Sequence, residues 1–223
     1  MKPRELIATA AVPGGEELRL FRREDDFMIV LGGNELMSSR MNGSERALAV
    51  LTCARLGNRT TAHILVGGYG MGFTLRAALE VLPLKAFVTV AELVPEIIAW
   101  ARGPMAEVTA GCLADPRVDI VERDVAALIG SARDAYDAIL LDVDNGPNGL
   151  SRGANDQLYS SAGLASARAA LKPGGVLAIW SASADAAFKR KLSRSGFTVD
   201  EIEVRARPNS KGPRHTIWFA ERL

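Results

Sequence analysis

Gly67-Gly68-Tyr69-Gly70-Met71-Gly72 lies between an apolar run at residues 62–66 and a stretch of helical period at 74–82. A buried strand that turns through four glycines into a helix lets a ligand approach the backbone closely and leaves the first helical N–H groups free to meet it. A tight strand-to-helix turn without any ligand would use the same residues. Outward from this point the alternation repeats. Strands are expected at 87–91, 118–121, 138–141 and 176–180, with helices at 95–102, 125–129 and 162–171. Lys172-Pro173-Gly174-Gly175 turns the chain into the last of these strands. Strands separated by helices imply right-handed crossovers and a mainly parallel sheet covered on both faces.

The ends of the chain break this habit. Residues 197–205 and 215–220 are two strands with no helix between them, so they should pair antiparallel and complete a seven-stranded sheet. The fold class is therefore α/β, Rossmann-like, with a C-terminal antiparallel hairpin. Before residue 43 the runs 18–21, 27–31 and 35–37 form a small β-meander, too short to hold a core alone. Two regions follow: the meander at 1–42 and the Rossmann-like domain at 43–223. Ser44 is the expected cap of the first helix, which carries Ala47, Leu48, Val50 and Leu51 and ends near Gly57-Asn58.

The 223 residues are 48% apolar and 24% charged, ordinary for a packed core. Lys plus Arg is 27 against 26 for Asp plus Glu, a net charge of +1, which does not suggest a dedicated nucleic-acid protein. Cys53 and Cys112 form no disulfide framework, and no apolar run approaches membrane-spanning length. A soluble, cytoplasmic protein with no membrane partner is the expectation. The cations from Lys189 to Arg214 have no interleaved aromatic platform beyond Phe197, and are read as a solvated helix face and hairpin loop.

Ligands of an open α/β sheet bind beyond the carboxyl ends of its strands. Glu92 follows the second strand about 20 residues past the glycine loop, the spacing at which a carboxylate accepts from both ribose hydroxyls. It could equally cap the helix beginning at Pro95. Asp124 follows the third strand, where its carboxylate can accept from an adenine amino group while the Val125 N–H donates to a ring nitrogen, or it can cap the next helix. The fourth strand ends in Leu141-Asp142-Val143-Asp144-Asn145-Gly146-Pro147, delivering two acids beside the glycine loop. A dinucleotide fingerprint fails, because its third glycine position is Phe73, and no Walker loop is present. Gly68, Gly70 and Gly72 with the acids that follow fit an adenosine sulfonium ligand better. His63 and His215 stand far from the acids in sequence, so no metal site is expected. Trp100 is assigned to the core, Trp180 to the core or the pocket rim, and Tyr69 to the acceptor pocket or the cover of the cofactor.

The stretch from His63 to Trp180 resembles the spermidine synthase family, aminopropyltransferases built on the class I S-adenosylmethionine-dependent methyltransferase fold. The glycine loop is similar to that family's GGGDGG segment. Residues 91–98, Ala-Glu-Leu-Val-Pro-Glu-Ile-Ile, resemble its ribose-binding run, and residues 115–124 resemble the stretch whose last aspartate binds adenine. Tyr136-Asp137-Ala138-Ile139-Leu140-Leu141-Asp142 resembles the segment whose last aspartate is the catalytic acid-base group. The resemblance implies a cofactor site of Gly67, Gly68, Tyr69, Gly70, Gly72, Glu92, Leu93, Asp124, Val125 and Asp142, catalysis by Asp142 with Asp144, and a homodimer.

The departures fall on the substrate half. The family's acid inside the glycine loop is replaced by the Tyr69-Gly70-Met71 region, and of its D-E-x-x-Y-H-E segment little more than Glu45 remains. Without the loop acid a bare ammonium end would lack a partner, and an unpaired buried charge is costly. The first expectation is therefore transfer of a methyl group from S-adenosylmethionine to a small acceptor, an amine among the candidates. The alternative is aminopropyl transfer from decarboxylated S-adenosylmethionine to putrescine, which the acids Asp142, Asp144 and Asp156 favour. A non-catalytic nucleoside-binding scaffold is the third.

Overall fold

The computed structural model describes residues 3–14, 17–143, 155–207 and 211–223. The chain opens with β1 (Glu5–Ala11), β2 (Glu17–Arg23), β3 (Asp26–Leu31) and β4 (Asn34–Ser38), paired antiparallel in that order. The expected meander gains β1, whose sequence ELIATAA leaves Leu6 exposed and carries little alternation to read. Then come α1 (Gly43–Arg55), β5 (His63–Gly67), α2 (Phe73–Val81), β6 (Phe87–Glu92), α3 (Pro95–Arg102), α4 (Ala106–Thr109) and a 3-10 turn (Cys112–Ala114). They are followed by β7 (Val118–Glu122), α5 (Val125–Ser131), β8 (Tyr136–Leu141), α6 (Asn155–Leu158), α7 (Ser161–Ala170), β9 (Leu171–Ser181), α8 (Ala186–Arg194), β10 (Thr198–Arg205) and β11 (Arg214–Glu221).

The second sheet has seven strands in the order β10-β11-β9-β8-β5-β6-β7. From β9 to β7 all neighbours are parallel, whereas β11 pairs antiparallel with both β9 and β10, as expected. Alternate residues face opposite layers. Ala138, Leu140, Ala178, Trp180 and Ile217 join one apolar cluster with α1, α2 and α3; Ile139, Leu141, Ile179 and Trp218 join another with α5, α7 and α8. Leu18, Leu20, Phe27 and Ile29 of the first sheet belong to the same cluster as Leu48 and Ile98, so the meander closes over the helical layer. Among the described residues no helix is long and apolar enough to cross a membrane.

Three local expectations need correction. Asn42, not Ser44, holds the N-cap position of α1, and no side chain caps it; the Ser44 hydroxyl is engaged elsewhere. Lys172-Pro173-Gly174-Gly175 lies within β9, where the pairing jumps from Tyr136↔Leu171 to Ala138↔Val176; the turn is a bulge in a longer strand. Finally, the solvated helix face expected among the cations from Lys189 is α8, and it begins earlier, at Ala186. Asp185 caps it by accepting the Ala187 and Phe188 N–H groups, and its apolar anchors are only Phe188 and Leu192.

The amino end of β8 carries a buried charge that is fully answered. Asp137 accepts from Arg59 and Lys172, each at 2.7 Å, and from the His63 N–H at 2.8 Å. Burial opposes its charged form, yet the His63 N–H, Lys172 and Arg59 together hold its carboxyl below the usual range. Replacing it, Asp137→Ala, is expected to cost on the order of 2 kcal/mol, because both cations keep access to water while the His63 amide loses its acceptor. A depressed carboxylate stabilises above the unfolded-state value and loses that contribution as pH falls through the folded one. The difference between wild type and variant in urea melts should therefore be present at pH 7 and shrink below about pH 4.

Candidate active site

The parallel register brings the strand ends to one level. Leu141 pairs with Gly67, Gly67 with Ala91, and Ala91 with Val121. One residue further along, Asp142, Gly68 and Glu92 stand side by side at the carboxyl edge, with Asp124 just beyond Glu122. The strands approach so closely here that glycine is required. Gly68 has φ +84°, and a Cβ on it would lie 2.7 Å from the Asp142 carbonyl oxygen. The Gly68 N–H donates to Ala91 and the Asp142 N–H to Gly67, which ties the glycine loop to both neighbouring strands.

Glu92 is buried and holds this loop in place. Its two carboxylate oxygens accept the Tyr69 and Val94 N–H groups, both at 2.9 Å. Burial pushes its carboxyl up, and these backbone donors counteract that. The Tyr69 ring turns beneath the loop into the core, with its hydroxyl 3.4 Å from Cys112 Sγ. Tyr69 thus meets the site through its backbone and not through the ring placement expected for an acceptor pocket. From the first sheet, Met37 Sδ accepts the Met71 N–H at 3.2 Å, and its methyl group lies against Gly70. Asp124 caps α5 by accepting the Ala126 N–H at 2.8 Å, and Val125 packs against Gly67. Leu93 is exposed beside Glu92, and Gly72 forms the left-handed entry to α2.

Asp142 sits at the centre of this edge. It is half-buried, and the protein packed around it disfavours its charged form. Thr74, in the first turn of α2, donates to its Oδ2 at 2.6 Å. Glu45 of α1 is buried and near enough for the Asp142 charge to act on it. Enclosure pushes both carboxyls up, and the Asp142 charge raises Glu45 further, so the pair retains a proton that two separate carboxylates would lose. Among the described residues no cation pairs with either. The Glu45 Oε2 accepts from the Ser44 hydroxyl at 2.6 Å, and His215 Nδ1 lies 2.9 Å from the same hydroxyl. Such a pair can attract a cation and can take up a proton.

Asp144 lies outside the described residues, as does the side chain of Asp156. Glu45, Thr74, Ser44 and His215 are the site residues that strand-end reasoning misses. One signal was available: an acid in the first turn of α1 ahead of the apolar positions Leu48 and Ala49. Among the described residues no cluster of His, Cys, Asp or Glu is placed to hold a metal ion. The cost of the carboxylate pair is measurable. A carboxyl raised by folding loses stability as pH climbs from the unfolded-state value through the folded one. Glu45→Gln should therefore be more stable than wild type at pH 8, by about 1–3 kcal/mol, and show no such advantage at pH 4 in denaturant melts.

Comparison with known proteins agrees with this geometry. A family model described as the spermine/spermidine synthase domain matches residues 48–193. The polyamine aminopropyltransferase of Mycobacterium tuberculosis is 30% identical over 198 residues, 85% of this chain and 36% of that protein. That of Nitrosomonas europaea is 34% identical over 115 residues, 52% of this chain and 34% of that one. The chain spans about a third of the length of these relatives. In fold it is similar to spermidine synthase from Thermotoga maritima, with a TM-score of 0.76 at 19% identity, covering 98% of this chain and 73% of that one. The matched region runs from α1 into α8 and includes the glycine loop and every strand-end acid. The chain belongs to the spermine/spermidine synthase family.

Proposed function

We propose that this chain transfers an aminopropyl group from decarboxylated S-adenosylmethionine to a small diamine of the putrescine type. The carrying observation is the Asp142–Glu45 pair: two enclosed carboxylates beside the glycine loop, without a protein cation among the described residues. A diammonium substrate supplies the missing positive charge, and one of its ammonium groups must shed a proton before it can act as a nucleophile. Methyl transfer, the first expectation, gives way here. It rested on the missing acid in the glycine loop, whereas acids delivered by α1 and β8 meet at the same edge. The relatives found are named for aminopropyl transfer as well.

The residues present suit such a ligand. Glu92 and Asp124, at the ends of β6 and β7, keep further acceptor capacity beyond the backbone bonds they make, which fits a ribose and an adenine. The donor's sulfonium supplies the electrophilic carbon. The protein's part is to hold the amine in line and to accept its proton at Asp142, whose Thr74 bond fixes the carboxylate plane.

The direct test incubates the protein with decarboxylated S-adenosylmethionine and putrescine and follows spermidine and the thioether nucleoside by mass spectrometry. Both products should form, and S-adenosylmethionine in place of the decarboxylated form should give neither. Methylated putrescine would instead restore methyl transfer, and absence of binding to both sulfonium compounds would leave the scaffold. Asp142→Asn should lower kcat by roughly 10²–10⁴-fold while the donor still binds. Because enclosure raises the Asp142 carboxyl, the acidic limb of kcat should lie at least about one unit above the ordinary carboxylate value.

A further inference from the structure

His215 lies 170 residues from Glu45 in sequence, yet a two-step hydrogen-bond chain joins them. The Ser44 hydroxyl lies 2.6 Å from Glu45 Oε2 and 2.9 Å from His215 Nδ1. A serine has one proton to give. When it goes to the Glu45 carboxylate, the Ser44 oxygen must accept from His215, which fixes the imidazole as the Nδ1–H tautomer. Trp180 of β9 stacks edge-to-face on the ring, with centroids 4.7 Å apart at 77°, and limits its rotation. Ser44 is fully buried and already committed to Glu45, so it is no nucleophile.

Among the described residues, Glu45 is the charged group that His215 faces, through Ser44. Its cross-strand partner is Val204, and alternation sends Arg205, Arg214 and Glu203 to the other face of the hairpin, where Arg214 pairs with Glu203. Trp180, on the next strand, brings no charge. From α1 come Ser44 and Glu45, with Asp142 beyond them. Burial holds the imidazole toward its neutral form, so it acts as a directed hydrogen-bond donor.

We propose that His215 is a positioning residue for the amine site: it donates from Nδ1 to Ser44, turns the Ser44 hydroxyl onto Glu45, and so fixes that carboxylate and favours its charged form against the opposing charge of Asp142. This deepens the aminopropyl-transfer reading and rests on it. There the acceptor ammonium gives one proton to the carboxylate pair. Its nitrogen lone pair then forms the new C–N bond while the C–S bond breaks, its electron pair staying on sulfur as a neutral thioether, and the product amine leaves as a secondary ammonium. Glu45, biased toward its ionised form by the Ser44 hydrogen bond, steadies the cation at both ends of that sequence.

The test compares His215→Leu, His215→Asn and Ser44→Ala. Leucine removes the donor, asparagine restores an N–H near the Nδ1 position, and Ser44→Ala cuts the chain at its middle with little loss of volume. Loss of the donor should raise KM for the diamine roughly tenfold and move the acidic limb of kcat upward by about one pH unit, with KM for the sulfonium donor unchanged. Ser44→Ala should reproduce that shift, the double variant should add nothing, and His215→Asn should recover most of the loss. Wild-type behaviour in His215→Leu, or equal damage in His215→Asn, overturns the proposal. An activity-independent arm separates its failure from that of the aminopropyl reading. Nitrogen-15 spectra should show neutral His215 as Nδ1–H, with a resonance that moves in Glu45→Gln. An Nε2–H tautomer, or no response to Glu45, sinks the positioning role whatever reaction the protein catalyses.

Discussion

Strand β8 is enclosed along its whole length, and it carries a carboxylate at each end. At the amino end Asp137 is met by a guanidinium, an ammonium and a backbone amide, all within hydrogen-bond distance. At the carboxyl end Asp142 has the Thr74 hydroxyl and the repulsion of Glu45. The same strand therefore carries one charge that folding resolves and one that folding leaves open. Parallel pairing makes this division possible, because it sorts all amino ends to one edge of the sheet and all carboxyl ends to the other. The edge with Asp137 belongs to stability. The edge with Asp142 has no answering cation among the described residues.

The glycine loop follows from the same sorting. With β5 and β8 in register, the turn after β5 has to pass the Asp142 carbonyl at a separation no Cβ would permit. Glu92 then fastens the turn from the opposite side through the Tyr69 N–H. The acid at the end of β6 thus shapes the loop before any ligand is present, and ending the strand and bracing the turn are two uses of one carboxylate. Asp124 shows the same economy as helix cap and strand-end acid.

Much of this arrangement was legible from residue order. Sharp period and flanking glycine or proline located the parallel strands, and α3 spans Pro95–Arg102 as read, because Pro95 starts it and Gly103 ends it. The strand-end acids were legible for the same reason: parallel register converts a position after a strand into a position in space. What escaped is what needs tertiary packing. Strand β1 is alanine-rich and has no clear apolar alternation. Ser44 looked like a cap, since serine before an apolar period usually is one; its partner His215 arrives from the far end of the chain across the hairpin. The expectation of methyl transfer rested on the missing acid of one loop, while Glu45, read only as the remnant of a longer segment, comes from another element altogether.

The first sheet is separate in its hydrogen bonding but not in its core. Its inner residues Leu18, Leu20, Phe27 and Ile29 share one apolar cluster with α1, α2 and α3, and Met37 reaches the Met71 amide of the glycine loop. A boundary near residue 42 thus divides the chain in sequence without dividing it thermodynamically. Cut there, each piece would expose an apolar face that neither can cover by itself. The two sheets are bound into one cooperative unit, so tightening of the glycine loop is felt in the meander and loosening of the meander is felt at the loop.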